Sequence, residues 1–378
     1  MRVLIIHNIL WTHYKSILFE ELQKQKSKND DIRVLQIARN ELSRKNMEGP
    51  LKKYDYDYHL LFDDYIENIP SYKKVFAVLK YIRSYNPDIV NITGFGGDLA
   101  MTFSILYAFL LSKKIVISNE STSQDQQGSF LKDSIKKMLF KMAKGFIVFG
   151  ASSKEYLFKY GVKQEQIIEE KAAVVDDVSI LEIFNETNNF LENEIVTSHN
   201  FIFVGRLIPE KNLDILISGF QRLKREVSQA KDWGLIVLGS GGEEKNLILL
   251  KNQQPDDIFM FKGVDWQTVP KYLTRANCLV LPSISEPWGL VVNEAMICGL
   301  SVIVSDKCGC KDDLVKGNGF IFKSGNETEL FDAMSEIVKN ENSNIELGSV
   351  SKEIIKDFKV ENVAKRIFMG FENIHQRK

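Results

Sequence analysis

The sequence predicts an α/β protein built from two doubly wound, Rossmann-like parallel-sheet domains. Short continuous apolar runs, the form taken by strands covered on both faces, alternate with segments of helical hydrophobic spacing. The alternation breaks over residues 176–200, where Asn185-Glu186-Thr187-Asn188-Asn189 is polar and aperiodic, and then restarts. A chain of 378 residues exceeds one ordinary hydrophobic core. The break is therefore read as a boundary, with a first domain over 1–185, a second over 186–360, and a closing helix over 361–378 that packs back on the first.

Taken in order, the apolar run at 3–6 is the first strand. A loop follows over 8–14, and Ile17, Leu18, Phe19 and Leu22 give 15–25 helical spacing. A second strand is read at 31–36. Residues 39–70 are polar and tyrosine-rich and carry no clear period. Val75, Phe76, Val78, Leu79 and Ile82 form the buried stripe of a helix over 72–85. A strand at 87–92 runs into Gly94-Phe95-Gly96-Gly97, read as a turn towards a helix over 99–111. Strands at 114–118 and 145–149 frame a helix at 130–144, and a helix over 152–160 completes the first series. In the second half, strands are expected at 201–204, 234–238, 258–261, 278–282, 301–304 and 319–322. Helices are expected at 213–223, from 269, after the loop at 285–287, at 327–338 and at 360–374. Two such domains in succession predict a ligand cleft between them, at the carboxyl ends of the strands.

Composition narrows the function. Hydrophobic residues at 44% and charged residues at 26% are those of a globular protein. A net charge of -1 supplies no global field for nucleic acid, which is not expected as a partner. The four cysteines, Cys278, Cys298, Cys308 and Cys310, lie in the second half, and Cys308-Gly309-Cys310 has no second pair at zinc spacing. No metal is expected, and free thiols suit a reducing compartment. Met1-Arg2 leads straight into a strand, and the longest apolar run, 99–111, is too short to span a bilayer. A cytoplasmic location is expected.

Two stretches carry the chemistry. The first is Ser285-Glu286-Pro287-Trp288-Gly289-Leu290-Val291-Val292-Asn293-Glu294. Pro287 is placed in the first turn of a helix, with the N–H groups of Trp288, Gly289 and Leu290 at its positive end as a phosphate site. Eight helical residues put Glu286 and Glu294 roughly 12 Å apart, one on each side of that site, the outline of a nucleotide-sugar. Two solvated glutamates on an amphipathic helix fit the same residues. The second stretch is Phe203-Val204-Gly205-Arg206-Leu207-Ile208-Pro209-Glu210-Lys211, where a strand ends at a glycine and two cations follow on one loop. Arg206 and Lys211 suit a diphosphate; a pair of surface cations, with Lys211 on Asp214, is the alternative.

With Gly239-Ser240-Gly241 and Phe261-Lys262-Gly263-Val264, these stretches resemble the C-terminal domain of GT-B fold glycosyltransferases of family 4 over residues 200–325. The first loop departs from the Gly-Gly pattern of many members and reads Asn8-Ile9-Leu10-Trp11-Thr12-His13. The resemblance implies a metal-independent, retaining transferase without a cofactor. Arg206 and Lys211 would hold the donor diphosphate, and Glu286 would contact the transferred sugar. The N–H groups of Gly289, Leu290 and Val291 would bind the distal phosphate, Glu294 the ribose, and the backbone near Val264 the base of a UDP- or GDP-linked donor, with Gly205 letting the ligand approach the main chain. His13 and Glu120 are candidates on the acceptor side, against an incidental loop histidine for the first and a helix-capping or structural role for the second. The acceptor would be a cell-envelope glycan or a lipid-linked glycan such as a capsule or lipopolysaccharide precursor. A sugar-nucleotide epimerase on the same fold and a catalytically silent partner subunit are the alternatives.

One local field stands out. Residues 101–150 hold seven Lys against three acidic residues. In the 130–144 helix, Lys132, Lys136, Lys137, Lys141 and Lys144 are set among Leu131, Ile135, Met138, Leu139 and Met142. That pattern fits either peripheral contact with an anionic membrane or an ordinary domain helix with a solvated lysine face.

Overall fold

The computed structural model describes residues 1–10, 12–42, 55–94, 98–122, 130–252 and 257–377. Trp11, Tyr54 and Phe95-Gly96-Gly97 lie outside them, as do the side chains of Leu131 and Lys132. The chain divides into two compact units, Met1–Val174 together with Phe358–Lys378, and Val175–Asp357.

The first unit holds a seven-stranded sheet in the order β3-β2-β1-β4-β5-β6-β7. Its strands are β1 (Arg2–Ile9), β2 (Asp31–Asn40), β3 (Tyr58–Tyr65), β4 (Ile89–Thr93), β5 (Lys114–Asn119), β6 (Gly145–Val148) and β7 (Ile167–Glu169), all paired in parallel. Helices α1 (His13–Gln25), α2 (Ser71–Tyr85), α3 (Leu99–Leu110), α4 (Phe130–Met142) and α5 (Ala151–Lys159) connect them. The continuous apolar runs are the central strands, and Leu4, Ile6, Val90, Ile92, Ile115 and Ile117 are fully buried between the helix layers. The uninformative stretch 39–70 contains β3, an edge strand of sequence YHLLFDDY whose residues are half-buried or exposed. One neighbour and one wet face remove the need for an apolar run.

The second unit holds a six-stranded sheet in the order β10-β9-β8-β11-β12-β13. The strands are β8 (His199–Val204), β9 (Trp233–Leu238), β10 (Ile258–Phe261), β11 (Cys278–Leu281), β12 (Ser301–Ser305) and β13 (Gly319–Phe322). Its helices are α6 (Asp177–Glu186), α7 (Leu213–Glu226), α8 (Glu244–Lys251), α9 (Val269–Leu273), α10 (Leu290–Ile297), α11 (Lys311–Leu314), α12 (Glu327–Lys339) and α13 (Glu341–Ile355). Helix α6 packs on α9 and α10, so residues 175–186 group with the second unit rather than ending the first.

The last helix, α14 (Val360–Gln376), belongs to the first unit and packs on α1 and β7. Its Arg366 donates from Nε and Nη2 to both oxygens of the buried Glu169 carboxylate, at 2.6 and 3.0 Å. At its carboxyl end, the Lys114 ammonium donates to the carbonyl oxygens of Ile374, His375 and Arg377 at 2.9, 2.7 and 2.6 Å. A cation there satisfies the unpaired last carbonyls of the helix.

Candidate active site

Because every strand of the second sheet runs the same way, the loops after β8, β9, β10 and β11 leave at one edge. Backbone hydrogen bonds join them. The Gly205 N–H donates to the Leu238 carbonyl at 3.0 Å and the Leu207 N–H to that of Ser240 at 2.9 Å. The Gly239 N–H donates to Phe261 at 2.9 Å, and the Gly263 N–H to the Ser240 hydroxyl at 2.9 Å. Gly205, Ser240 and Gly263, the neighbour of Val264, are thereby held side by side.

The loop after β8 turns through a short 3-10 segment, Pro209–Lys211, and the one after β11 reaches it: the Ile284 N–H donates to the Glu210 carbonyl at 2.9 Å. This crossing brings Lys211 and Glu286 together as a hydrogen-bonded ion pair, with side chains 13% and 14% exposed. Lys211 is thus committed to Glu286, and the alternative pairing with Asp214 is not the one formed. Neither charge is far from solvent, yet each is desolvated enough that removing one would leave the other costly. Arg206, on the same loop, is exposed and has no ion pair among the described residues.

The loop carrying Glu286 is braced from behind. The Glu286 N–H donates to the Lys307 carbonyl at 3.3 Å, and the Gly309 N–H donates to the Glu286 carbonyl at 2.8 Å. A Cβ on Gly309 would lie 1.8 Å from the Pro287 carbonyl oxygen, so no other residue fits that approach. The Ser305 hydroxyl donates to the Ser283 carbonyl and accepts from the Lys307 N–H at 3.2 Å. Cys308 and Cys310 are buried, and burial pushes the Cys308 thiol up to about 12. They pack; they do not react. Sequence reasoning weighed this turn only as a metal ligand set and missed its place behind Glu286, since the spacing of 308–310 gives no sign of what it touches.

The helix start differs from the one expected. Helix α10 begins at Leu290, after Gly289 in the left-handed region at φ 95°, so Pro287 is in the loop and not in the first turn. Residues 286–289 are not helical, and the helical-rise spacing of Glu286 and Glu294 does not apply to them. Trp288 turns inward, 3% exposed, and its indole N–H donates to the side-chain amide oxygen of Asn293 at 2.9 Å. The amides left at the positive end are those of Gly289, Leu290 and Val291. Glu294, one turn on, is half-buried, and desolvation pushes its carboxyl up to about 7.

The acceptor-side candidates lie in the first unit. His13 opens α1 and is half-buried. Glu120, just past β5, pairs with Lys15 at 2.5 Å. Lys15 is 4% exposed, and its ammonium also stands 4.8 Å from the centre of the Phe149 ring. The pair borders a cavity of about 20 Å³, room for one water, lined also by Asn91, Thr93, Ser118 and Asn119. Behind it, His7 bridges the hydroxyls of Thr93 and Thr12, the latter at 3.1 Å. A buried lysine on an apolar helix face was not singled out from sequence; its partner is 105 residues away in a chain where many lysines are surface groups.

Residues 185–353 match the family model described as Glycosyl transferases group 1. An uncharacterized glycosyltransferase of Methanocaldococcus jannaschii is 26% identical over 349 residues, spanning 85% of this chain and 90% of that protein. The Campylobacter jejuni N,N'-diacetylbacillosaminyl-diphospho-undecaprenol alpha-1,3-N-acetylgalactosaminyltransferase is 20% identical over 376 residues, 96% of this chain and 95% of that one. The crystal structure of Anabaena HepE in complex with UDP superposes with a TM-score of 0.76 at 16% identity, covering 99% of this chain and 100% of that chain. The structural likeness shows the two-domain GT-B fold, and the family match and the relatives support a group 1 glycosyltransferase. Gly205, Arg206, Lys211, Val264, Glu286, Gly289 and Glu294 all fall inside the group 1 match; His13 and Glu120 fall outside it.

Proposed function

We propose that the protein is a retaining, metal-independent glycosyltransferase of family 4 that moves a sugar from a UDP- or GDP-linked donor to a cell-envelope glycan or lipid-linked acceptor at the cytoplasmic face of the membrane. The observation that carries this reading is the Lys211–Glu286 pair at the carboxyl edge of the second sheet, next to the free amides that open α10. Arg206 and Lys211 hold the donor diphosphate and offset the charge that develops on the leaving nucleotide. Glu286 accepts hydrogen bonds from hydroxyls of the transferred sugar, the amides of Gly289, Leu290 and Val291 hold the distal phosphate, and Glu294 accepts from the ribose hydroxyls. In the step proposed, the bond from the anomeric carbon to the donor phosphate oxygen breaks and the acceptor oxygen bonds that carbon on the same face. The acceptor's proton passes to the departing phosphate oxygen. The UDP bound to HepE and the lipid-diphosphate named for the Campylobacter relative agree with this choice of donor and acceptor. The four residues Arg206, Lys211, Glu286 and Glu294 together suit transfer better than epimerisation, and a silent subunit would not need them.

The test is turnover with the donor that gives the largest thermal shift in a panel of nucleotide-sugars, since a ligand of the native state stabilises it by mass action. Glu286→Gln and Lys211→Ala are each expected to lower kcat by orders of magnitude while melting as folded proteins. Transfer at the parent rate by either variant would overturn the assignment.

A further inference from the structure

Helices α2, α3 and α4 lie side by side on one face of the first sheet, and their outer surface is unlike that of a solvated helix layer. On α3 the positions Leu99, Phe103, Leu106 and Leu110 follow one another at i, i+4, i+7 and i+11, a single stripe of the helix. Leu99 is 55%, Phe103 44% and Leu110 78% exposed. No charged residue occurs anywhere between 99 and 112. The outward stripe of α2 continues the apolar surface with Tyr72 and Phe76, 70% and 71% exposed, and ends in the exposed Lys80 and Arg83. On α4, Ile135 and Met138 are 43% and 47% exposed, beside the exposed Lys137 and Lys141. An apolar strip of this breadth on one face calls for a covering partner.

The charge around the strip selects that partner. Segments 71–85, 99–113 and 130–144 together contain ten Lys and Arg against one acidic residue, Asp133. Lys74 is buried and paired with Asp98, the N-cap of α3, which leaves nine cations, and Asp133 is held by the Tyr160 hydroxyl at 2.8 Å. Two copies facing each other across such a surface would repel. A surface that is negative and offers an apolar interior just beneath its charge satisfies both halves of the pattern. We infer that the α2–α3–α4 face docks the protein on an anionic lipid bilayer, with Phe76, Leu99, Phe103 and Leu110 seated among the acyl chains and Lys80, Arg83, Lys137 and Lys141 at the headgroups. No helix is long and apolar enough to cross a membrane among the described residues, and the contact is interfacial. Lys136 takes no part: its ammonium donates to the Tyr156 hydroxyl at 3.0 Å and lies 5.7 Å over that ring. The contact belongs to α3 as its centre and not to the basic helix alone. It stands on the first unit by itself, independent of the donor site in the second.

The experiment is sedimentation of the full chain with vesicles of phosphatidylcholine alone and of phosphatidylcholine mixed with phosphatidylglycerol. Binding is expected to the mixed vesicles only and to weaken as salt is raised. Phe76→Ser with Leu110→Ser, both highly exposed positions whose change spares the core, should lower the affinity tenfold or more. Lys137→Gln with Lys141→Gln should do the same at low salt, at about 1 kcal/mol per cation removed. The nucleotide thermal shift, unchanged in every variant, reads the proposed activity separately. Failure to sediment with mixed vesicles, equal binding to both vesicle types, binding that all the variants retain, or a dimer in solution that the Phe76 and Leu110 changes dissociate would each overturn the inference.

Discussion

Glu294 ties the site to pH. Its carboxyl sits at about 7 in the folded protein because burial disfavours the charged form, against the ordinary carboxylate range of about 4–5 in the unfolded chain. Between those two values the native state binds more protons than the unfolded one, so stability falls as pH rises through the window and levels off above about 7. Glu294→Gln is expected to flatten that slope and to be more stable near pH 8 by about 1–2 kcal/mol, less than full burial would give because the group keeps some solvent. Denaturant unfolding near pH 5 and near pH 8 reads both effects; an unchanged slope in the variant would exclude Glu294 as its source. If ribose hydroxyls donate to the ionised form, nucleotide affinity should climb over the same window in the parent and not in the variant. Gly309 is the other residue with a sharp expectation. Gly309→Ala places a methyl on the Pro287 carbonyl and should move the Glu286 loop, lowering donor affinity and costing about 2 kcal/mol or more of stability. A variant that binds donor as the parent does would show the loop to be held otherwise.

Among the elements, the β11–α10 connection repays attention to its caps. The sequence marked this stretch by composition, an apolar strand followed by Glu286-Pro287-Trp288-Gly289, but placed the helix start three residues early. Proline at the first helical position is a common arrangement, and it competed with a glycine that takes φ 95°. The glycine wins because Trp288 has to turn inward to bury its ring and reach Asn293. Trp288→Phe keeps an aromatic ring but removes that hydrogen bond and leaves part of the indole's space empty, and should lower stability by about 1–3 kcal/mol, visible as a drop of several degrees in Tm. Edge elements were the least legible. Strand β3 lacks an apolar period because one side of it is wet, and α13, with the sequence ENSNIELGSVSKEII, is poor in strong helix formers. It is held by packing on α10 and α12, which no local propensity reports.

At the scale of the whole molecule, the chain leaves the first unit at Val174 and returns to it at Phe358. Helix α14 buries Val363, Ile367, Phe368, Phe371 and Ile374, on the order of 1.5–3 kcal/mol for each large side chain. That sum is comparable with the whole stability of a domain. Deleting residues 358–378 is therefore expected to unfold the first unit while the second keeps a cooperative transition of its own, seen as loss of one of two steps in a thermal scan. Retention of both steps would mean that α14 is an accessory to a core that closes without it. Glu169→Gln, which weakens the bidentate hold on Arg366, should lower only the step that the deletion abolishes.

The sequence by itself determined the two α/β sheets and nearly all their buried strands, and it singled out Arg206, Lys211, Glu286, Gly289 and Glu294 as candidates for one site. Those readings rest on local periods and on residue types at short spacing, which the chain states directly. Only the tertiary structure decided that Lys211 binds Glu286, 75 residues along, that the Cys308-Gly309-Cys310 turn braces that glutamate, and that Glu120 answers to the buried Lys15. It also decided that α2 and α4 both pack against α3. Each of these joins residues far apart in the chain, and burial, not spacing, selects such pairs: a lysine out of water needs a carboxylate, and whichever one the packing of the strands brings near is the one it takes.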